Sequence, residues 1–348
     1  MAHQTAKPIH EFTLIRELQK QFAHRNAPGI IQGIGDDAAV LAPASQTWWH
    51  LTTDLLAEGI HFEFKSASPS SIGYRAAIAN LSDLAAMGAT PRYLLISLAI
   101  PKQLNHSRID DFYRGMMQAC RPYNVAVIGG DTSASKAGFF LSITLLGTTP
   151  KRRALFRHGA TVGDQIYVSG TLGDSLAGLR LLVNKKTSRS SERKRSPLSR
   201  SHRQFLIRRH LHPSARVTEG QWLNTGRLAS AAIDLSDGLS GDLRHICEES
   251  GVGAEVEVDN LPLSPACRAY AISRGVSPIQ LAITGGEDYE LLFTTPLRFR
   301  HTLERQAQAR GYRITRIGTI RPKKFGIQMT SQGRTQPLPR TSYEHFRR

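Results

Sequence analysis

Cysteine is scarce: Cys120, Cys247 and Cys267 are the only three in 348 residues. An odd number with no CxxC pair excludes a disulfide framework and a zinc knuckle. Long apolar runs are missing; the longest cluster around Leu94-Leu95-Ile96, far short of the ~20 residues of a membrane span. The opening MAHQTAKPIHEF has no apolar signal core, so secretion is not expected and a reduced, cytoplasmic protein is. The common nucleotide and hydrolase signatures are missing too. No G-x-x-x-x-G-K-[ST] occurs, which excludes a P-loop enzyme, and no G-x-G-x-x-G follows a strand. H-E-x-x-H, a paired H-R-D and D-F-G, and G-x-S-x-G are likewise absent. Acids are the minority charge, 28 against 45 Lys and Arg, for a net +17.

What is present starts with that excess. Residues 184–203 (NKKTSRSSERKRSPLSRSHR) hold eight Lys or Arg against the single acid Glu192. Such a stretch reads as a patch for RNA or a membrane surface, or as a solvated, flexible basic insert. No aromatic is interleaved for base stacking, so the solvated loop is the reading adopted and nucleic acid is not an expected partner. The 40% of apolar residues suffices for a sizeable core, and the length suits two domains.

Periodicity predicts helices over Glu11–Phe22, Ser71–Met87 (closed by Gly88, with Pro91 beyond), Arg108–Tyr123, Asp174–Val183 and from Gly238 to Glu249. Strands are predicted at Ala38–Leu41, Trp48–Thr53, Leu94–Ile100, Phe139–Leu146, Gln165–Ser169, Ala229–Ile233, Val256–Val258, Leu291–Thr294 and within Gly311–Ile320. Val125–Ile128 reads as a short buried strand. The pattern breaks between Thr148 and Gly163, dividing the chain into domains 1–150 and 151–348. Strands alternate with helices in both, an α/β or α+β class. Asn80-Leu-Ser-Asp83 is loosely echoed by Asp234-Leu-Ser-Asp237.

The acids stand in unusual company. Asp36 and Asp37 lie in GIGDDAAVL, Asp54 in HLTTDLL, Asp83 in ANLSDLAAMG, and Asp131 in VIGGDTS. Asp234 and Asp237 lie in AAIDLSDGL, and Glu287 and Asp288 in ITGGEDYELLF. An ionised carboxylate in apolar surroundings must be paired or must hold a metal. If 38–41 and 48–53 pair antiparallel, Asp37 and Asp54 become neighbours, which raises one pKa or shares a cation. Any one of these acids could be a helix cap or turn residue. Six together point to a multi-carboxylate site for a hard cation, magnesium first. Glycines beside the acids (Gly129, Gly130, Gly285, Gly286) let backbone amides approach a phosphate. The chemistry this suggests is metal-assisted phosphoryl transfer.

Taken together, EFTLI (11–15), GIGDDAAVL (33–41), TTDLLAEGIHF (52–62), ANLSDLAAMGA (79–89), IGGDTS (128–133), GDQIYVSGTLGDSLAGL (163–179), AIDLSDGLSGDL (232–243), GGEDYELLF (285–293) and SYEHF (342–346) resemble the thiamine-monophosphate kinase family. That family is grouped with aminoimidazole ribonucleotide synthetase and selenophosphate synthetase; a ligase of the first kind is the alternative reading. The resemblance implies a two-domain fold whose N-terminal sheet forms a homodimer interface. It implies ATP-dependent phosphorylation of thiamine monophosphate to thiamine diphosphate by direct transfer, with several magnesium ions and no nucleophilic residue. By the same resemblance Asp37, Thr53, Asp54, Asp83, Asp131 and Asp234 match magnesium ligands. Thr52 assists through its backbone or hydroxyl, and Asp237 is a further metal contact. Gly130, Asp131, Arg157, Ser236 and Tyr113 match nucleotide contacts, and His61, Glu287 and Tyr343 match contacts to the thiamine moiety.

Overall fold

A computed structural model of the chain describes residues 29–32, 36–42, 46–183 and 197–341. The helix expected at Glu11–Phe22, Tyr343 and most of the basic insert lie outside the described residues.

Alternating burial builds the first sheet. In β3 (Thr47–Ala57), Trp48, His50 and Thr52 face inward while Thr53 and Leu55 face out. The same period-two pattern runs through β4 (Thr90–Pro101) and β6 (Phe140–Pro150). With β1 (Ile30–Gln32), β2 (Ala39–Leu41) and β5 (Ala126–Ser135), the order is β1-β2-β3-β6-β4-β5. The expected hairpin forms, with Ala39 opposite Leu51 and Leu41 opposite Trp49. β5 differs from expectation: it runs ten residues rather than four, and nearly all of it is exposed. Among the described residues it is the sheet's edge and pairs with β4 alone, in parallel, so Val127 and Ile128 are exposed while Val125, just before the strand, is buried.

Helix α1 (Pro69–Ala86) begins at Ser68, whose hydroxyl accepts the Ser71 amide at 3.1 Å, with Pro69 in the first turn. It stops where Gly88 takes φ +65, a conformation that glycine adopts without strain. One side of α1 packs on β3, β6 and β4, and another meets strand β8 (Ala231–Asp234) of the second sheet. So α1 is a layer shared by both halves of the chain. Helix α2 (His106–Cys120) crosses it, and a 3₁₀ turn covers the rest of the predicted 108–123 helix.

The second sheet has the order β13-β12-β9-β11-β7-β10-β8. β7 (Gln165–Ser169), β10 (Leu291–Thr295) and β8, the last of them at the end of the sheet, are buried at every residue. β9 (Gly253–Glu257), β11 (Ile314–Arg321), β12 (Ile327–Ser331) and β13 (Arg334–Pro337) extend it outward. Helices α3 (Asp174–Val183), α4 (Arg200–Leu211), α5 (Val217–Thr225), α6 (Leu239–Ser250), α7 (Pro265–Arg274), α8 (Pro278–Thr284) and α9 (Arg300–Arg310) surround it. The start of α4 corrects the extent of the basic insert. Residues 200–203 are helical, capped by Ser199 and anchored by fully buried Leu206, rather than looped. α5 reaches back onto α1 at Gly220, and Asn224 donates to the Gly88 carbonyl at 3.1 Å. Among the described residues, no helix is long and apolar enough to cross a membrane.

Candidate active site

Three carboxylates from distant segments converge beside α1. Asp37 precedes β2, Asp83 comes from the last turn of α1, and Asp234 ends β8; one oxygen of each lies within 4.8 Å of the others. The local folding explains this. The pairing of β2 with β3 brings the Asp37 segment alongside that of Asp54. The buried face of β3 carries Thr52, whose hydroxyl donates to Asp83 Oδ2 in a short hydrogen bond. Contact between α1 and β8 lets the Ser82 hydroxyl donate to Asp234 Oδ2 at 2.7 Å. The two NLSD and DLSD segments thus meet through their own serine and aspartate.

The electrostatics of these carboxylates suit a cation between them. Burial raises Asp54 to about 6 and Asp234 to about 8, the latter helped by the charge of Asp37. Burial pushes Asp83 well above the usual carboxylate range, and Asp54, Asp234 and Asp37 push it further. Arg157 supplies the nearest fixed cation. Its Nη2 donates to Asp37 Oδ1 at 2.7 Å and its backbone amide to Asp36 Oδ2 at 3.1 Å. Asp37 Oδ2 is buried and has no hydrogen-bond partner among the described residues. An unpartnered buried oxygen in a ring of mutually repelling carboxylates fits a hard divalent cation such as magnesium.

Around this centre, Ser236 donates to Asp234 Oδ1 at 3.4 Å. Asp237 lies on the same turn and raises buried Asp242, whose main shift comes from burial. Asp242 Oδ2 accepts the Gly238 amide at 3.0 Å, closing the turn into α6. The following loop, 285–290, folds back on that turn: the Glu287 amide donates to the Ser236 carbonyl at 2.8 Å, and the Tyr289 amide to that of Leu235 at 3.0 Å. Glu287 (φ +61) and Tyr289 (φ +51) both take left-handed backbone, a strain of order 1–3 kcal/mol each. His61, after β3, accepts the Ala57 amide on Nδ1 at 3.0 Å.

Residues 35–149 match the AIR synthase related protein N-terminal domain, and residues 161–329 the corresponding C-terminal domain. The thiamine-monophosphate kinase of Haemophilus influenzae is 37% identical over 342 residues, covering 97% of this chain and 98% of that protein. The thiamine-monophosphate kinase of Aquifex aeolicus is 40% identical over 291 residues, 83% of this chain and 87% of that one. A solved structure of AaThiL complexed with AMPPCP and TMP superposes with a TM-score of 0.81 at 35% identity, covering 97% of each chain. The chain belongs to the thiamine-monophosphate kinase family.

Some residues that match this kinase family's pattern are not brought together in the single chain. Gly130 and Asp131 sit on β5, opposite Ile96 and Ser97, and both are exposed. Thr53 is exposed, and its hydroxyl donates to the Ile143 carbonyl at 3.1 Å rather than to the carboxylates. Tyr113 stands half-buried on α2, edge-on to Phe112. Four residues in the site went unassigned in the sequence. Ser82 and Asp242 lie inside segments that were otherwise read. Arg75 is a lone cation on the buried face of an alanine-rich helix, three residues from Ile72, and that break in pattern is its signal. His210 is buried with Nδ1 at 3.0 Å from Ser175 Oγ and 3.5 Å from Glu287 Oε2.

Proposed function

We propose that the chain transfers the γ-phosphoryl group of ATP directly to thiamine monophosphate, giving thiamine diphosphate and ADP. The convergence of Asp37, Asp83 and Asp234 within 4.8 Å is the observation that carries the reading. The relative AaThiL, complexed with AMPPCP and TMP, supports ATP and thiamine monophosphate as the substrate pair.

The chemistry explains why acids are gathered with no base beside them. Donor and acceptor are both phosphates. An acceptor phosphate with a second pKa near ~6 is already largely ionised at neutral pH, so no proton need be removed. What remains is to neutralise charge and align the groups. Asp37, Asp83 and Asp234, with Asp54 and Thr52 beside them and Asp131, Asp237 and the Thr53 backbone as further contacts, would hold magnesium. A bound magnesium ion supplies charge neutralisation and polarises phosphoryl oxygens. Arg157, within reach of Asp36 and Asp37, acts as a nucleotide-phosphate contact, along with Gly130, Ser236 and Tyr113. His61, Glu287 and Tyr343 bind the thiamine moiety; a carboxylate and an aromatic face both suit a cationic thiazolium.

We also propose a cytoplasmic homodimer built on the first sheet. Its outer face exposes Leu55, Tyr93, Leu95 and Val127, with Ile128 beside them on the edge strand. An apolar patch of that kind marks an interaction surface. The three cysteines are free, buried thiols, which suits a reducing compartment.

The test is incubation of the protein with ATP and thiamine monophosphate, with and without chelator, reading ADP and thiamine diphosphate together. Equimolar formation of both, lost on chelation and restored by magnesium, is expected. ATP turnover without thiamine diphosphate would overturn the reading in favour of a ligase of the same group.

A further inference from the structure

Arg75 is the one cation on the buried face of α1, and its side chain is 4% exposed. It joins two segments far apart in sequence. Nη2 makes a short ion pair with Glu287 Oε1, on the loop from the second half of the chain. Nη1 donates to the His61 backbone carbonyl at 3.4 Å, in the segment after β3. Its Nε is buried with no hydrogen-bond partner among the described residues. Burying a guanidinium is unfavourable unless its partner is fixed, and this partner sits on backbone strained at φ +61. One oxygen of the Glu287 carboxylate is thus taken. The other, Oε2, lies 3.5 Å from His210 Nδ1, and burial holds that imidazole neutral, with its pKa pulled down to about 4. The Glu287 side chain keeps 32% exposure, so the group that Arg75 pins is still reached by solvent.

We infer that Arg75 is a positioning residue for substrate recognition: it locks the Glu287 carboxylate and the His61 segment into one arrangement that accepts the cationic ring of thiamine monophosphate. The inference rests on the kinase reading above and adds a residue to it. The hydrogen bonds of Arg75 go to His61 and Glu287 and not to the Asp37–Asp83–Asp234 ring, so its removal is expected to act on one substrate only. A purely structural ion pair would disturb both substrates alike.

The experiment compares full-length wild type with Arg75→Met, Arg75→Lys, Glu287→Gln and the Arg75→Met/Glu287→Gln double variant. Each is measured for both KM values, kcat, calorimetric binding of thiamine monophosphate, and thermal midpoint. Arg75→Met is expected to raise KM and Kd for thiamine monophosphate about tenfold or more, with KM for ATP within about twofold. Lys, which keeps the charge on Glu287, is expected to restore most of the loss. In the Glu287→Gln background the Arg75→Met effect is expected to shrink to about threefold or less. Equal changes in both KM values, or a full-size effect that persists without the Glu287 charge, would overturn the inference. If Arg75→Met does not fold, Arg75→Gln takes its place and is read by the same split between the two KM values. A wild type that makes no thiamine diphosphate sinks the kinase reading itself, a result separate from any of these.

Discussion

A carboxylate held above its ordinary pKa stores a pH dependence whose sign is fixed. Asp234, raised to about 8 by burial and by Asp37, binds a proton in the folded, metal-free protein that the unfolded chain releases near 4. Folding therefore takes up a proton across that window, and stability falls as pH rises from about 4 to about 8. Asp234→Asn removes the penalty without removing the shape. Its stability advantage over wild type in chelator is expected to be small at pH 5 and to grow to a few kcal/mol by pH 8.5, read by urea denaturation at each pH. A difference that stays flat with pH would mean that Asp234 is not protonated in the folded state. Adding magnesium should cancel the advantage, because the ion stabilises only the wild-type ring. For catalysis, Asp83→Asn or Asp54→Asn is expected to leave a folded protein whose turnover falls about 10²-fold or more and whose magnesium requirement rises. Near-normal kinetics at modest magnesium would count against the site. These acids were legible because charge in an apolar or glycine-rich window is chemically conspicuous. Arg75 was legible only as a cation breaking an apolar helix face; its role, like that of His210, depends on Glu287, 212 residues from Arg75, and that pairing has no local signature.

At the scale of elements, α1 decides the site. It presents Asp83 and Ser82 to the β8 end while packing on the first sheet, so a shift of its axis moves a metal ligand. α5 sets that axis by lying backbone to backbone on it. A Cβ at Gly220 would stand 1.9 Å from the Ala85 carbonyl oxygen, a contact that only movement of one helix relieves. Gly220→Ala is accordingly expected to destabilise by about 2 kcal/mol or more, despite alanine's better helix propensity, and to lower turnover as well. An unchanged denaturation midpoint would show that the two helices do not approach so closely. α1 itself was readable, from its run of Ala and Leu to its glycine stop. α5, α7, α8 and α9 were not, because they are short and their apolar faces are defined by neighbours rather than by a clear period. β5 failed for the opposite reason: four apolar residues in a row look buried, yet only Val125 is, and the edge strand with one described neighbour leaves Ala126, Val127 and Ile128 exposed.

For the whole molecule, the exposed face of the first sheet and the site's incomplete carboxylate set bear on one question. Leu55 is 63% exposed and Ile128 55%, while Tyr93, Leu95 and Val127 are each about 38–39% exposed, on strands β3, β4 and β5 of one sheet. Leaving these in water forgoes roughly 25 cal/mol per Å² of apolar area, which a second copy would recover. A net charge of +17 opposes any such association at long range, but its largest concentration lies in the 184–203 segment, outside the first sheet. Local burial should therefore win over global repulsion, more so as salt screens the charge. Leu95→Lys places a like charge at the face on both copies and touches no residue of the carboxylate ring. Sedimentation at 0.15 M salt is expected to give two chains per particle for wild type and one for the variant. Asp131 and Gly130 lie on the exposed edge strand bordering that face, so the monomeric variant is also expected to lose ATP affinity. Its Asp37–Asp83–Asp234 ring, built within one chain, should still bind magnesium in calorimetry. A wild type that sediments as a single chain would leave the exposed face without its expected partner, and Asp131 would then have to reach the nucleotide from its own subunit alone.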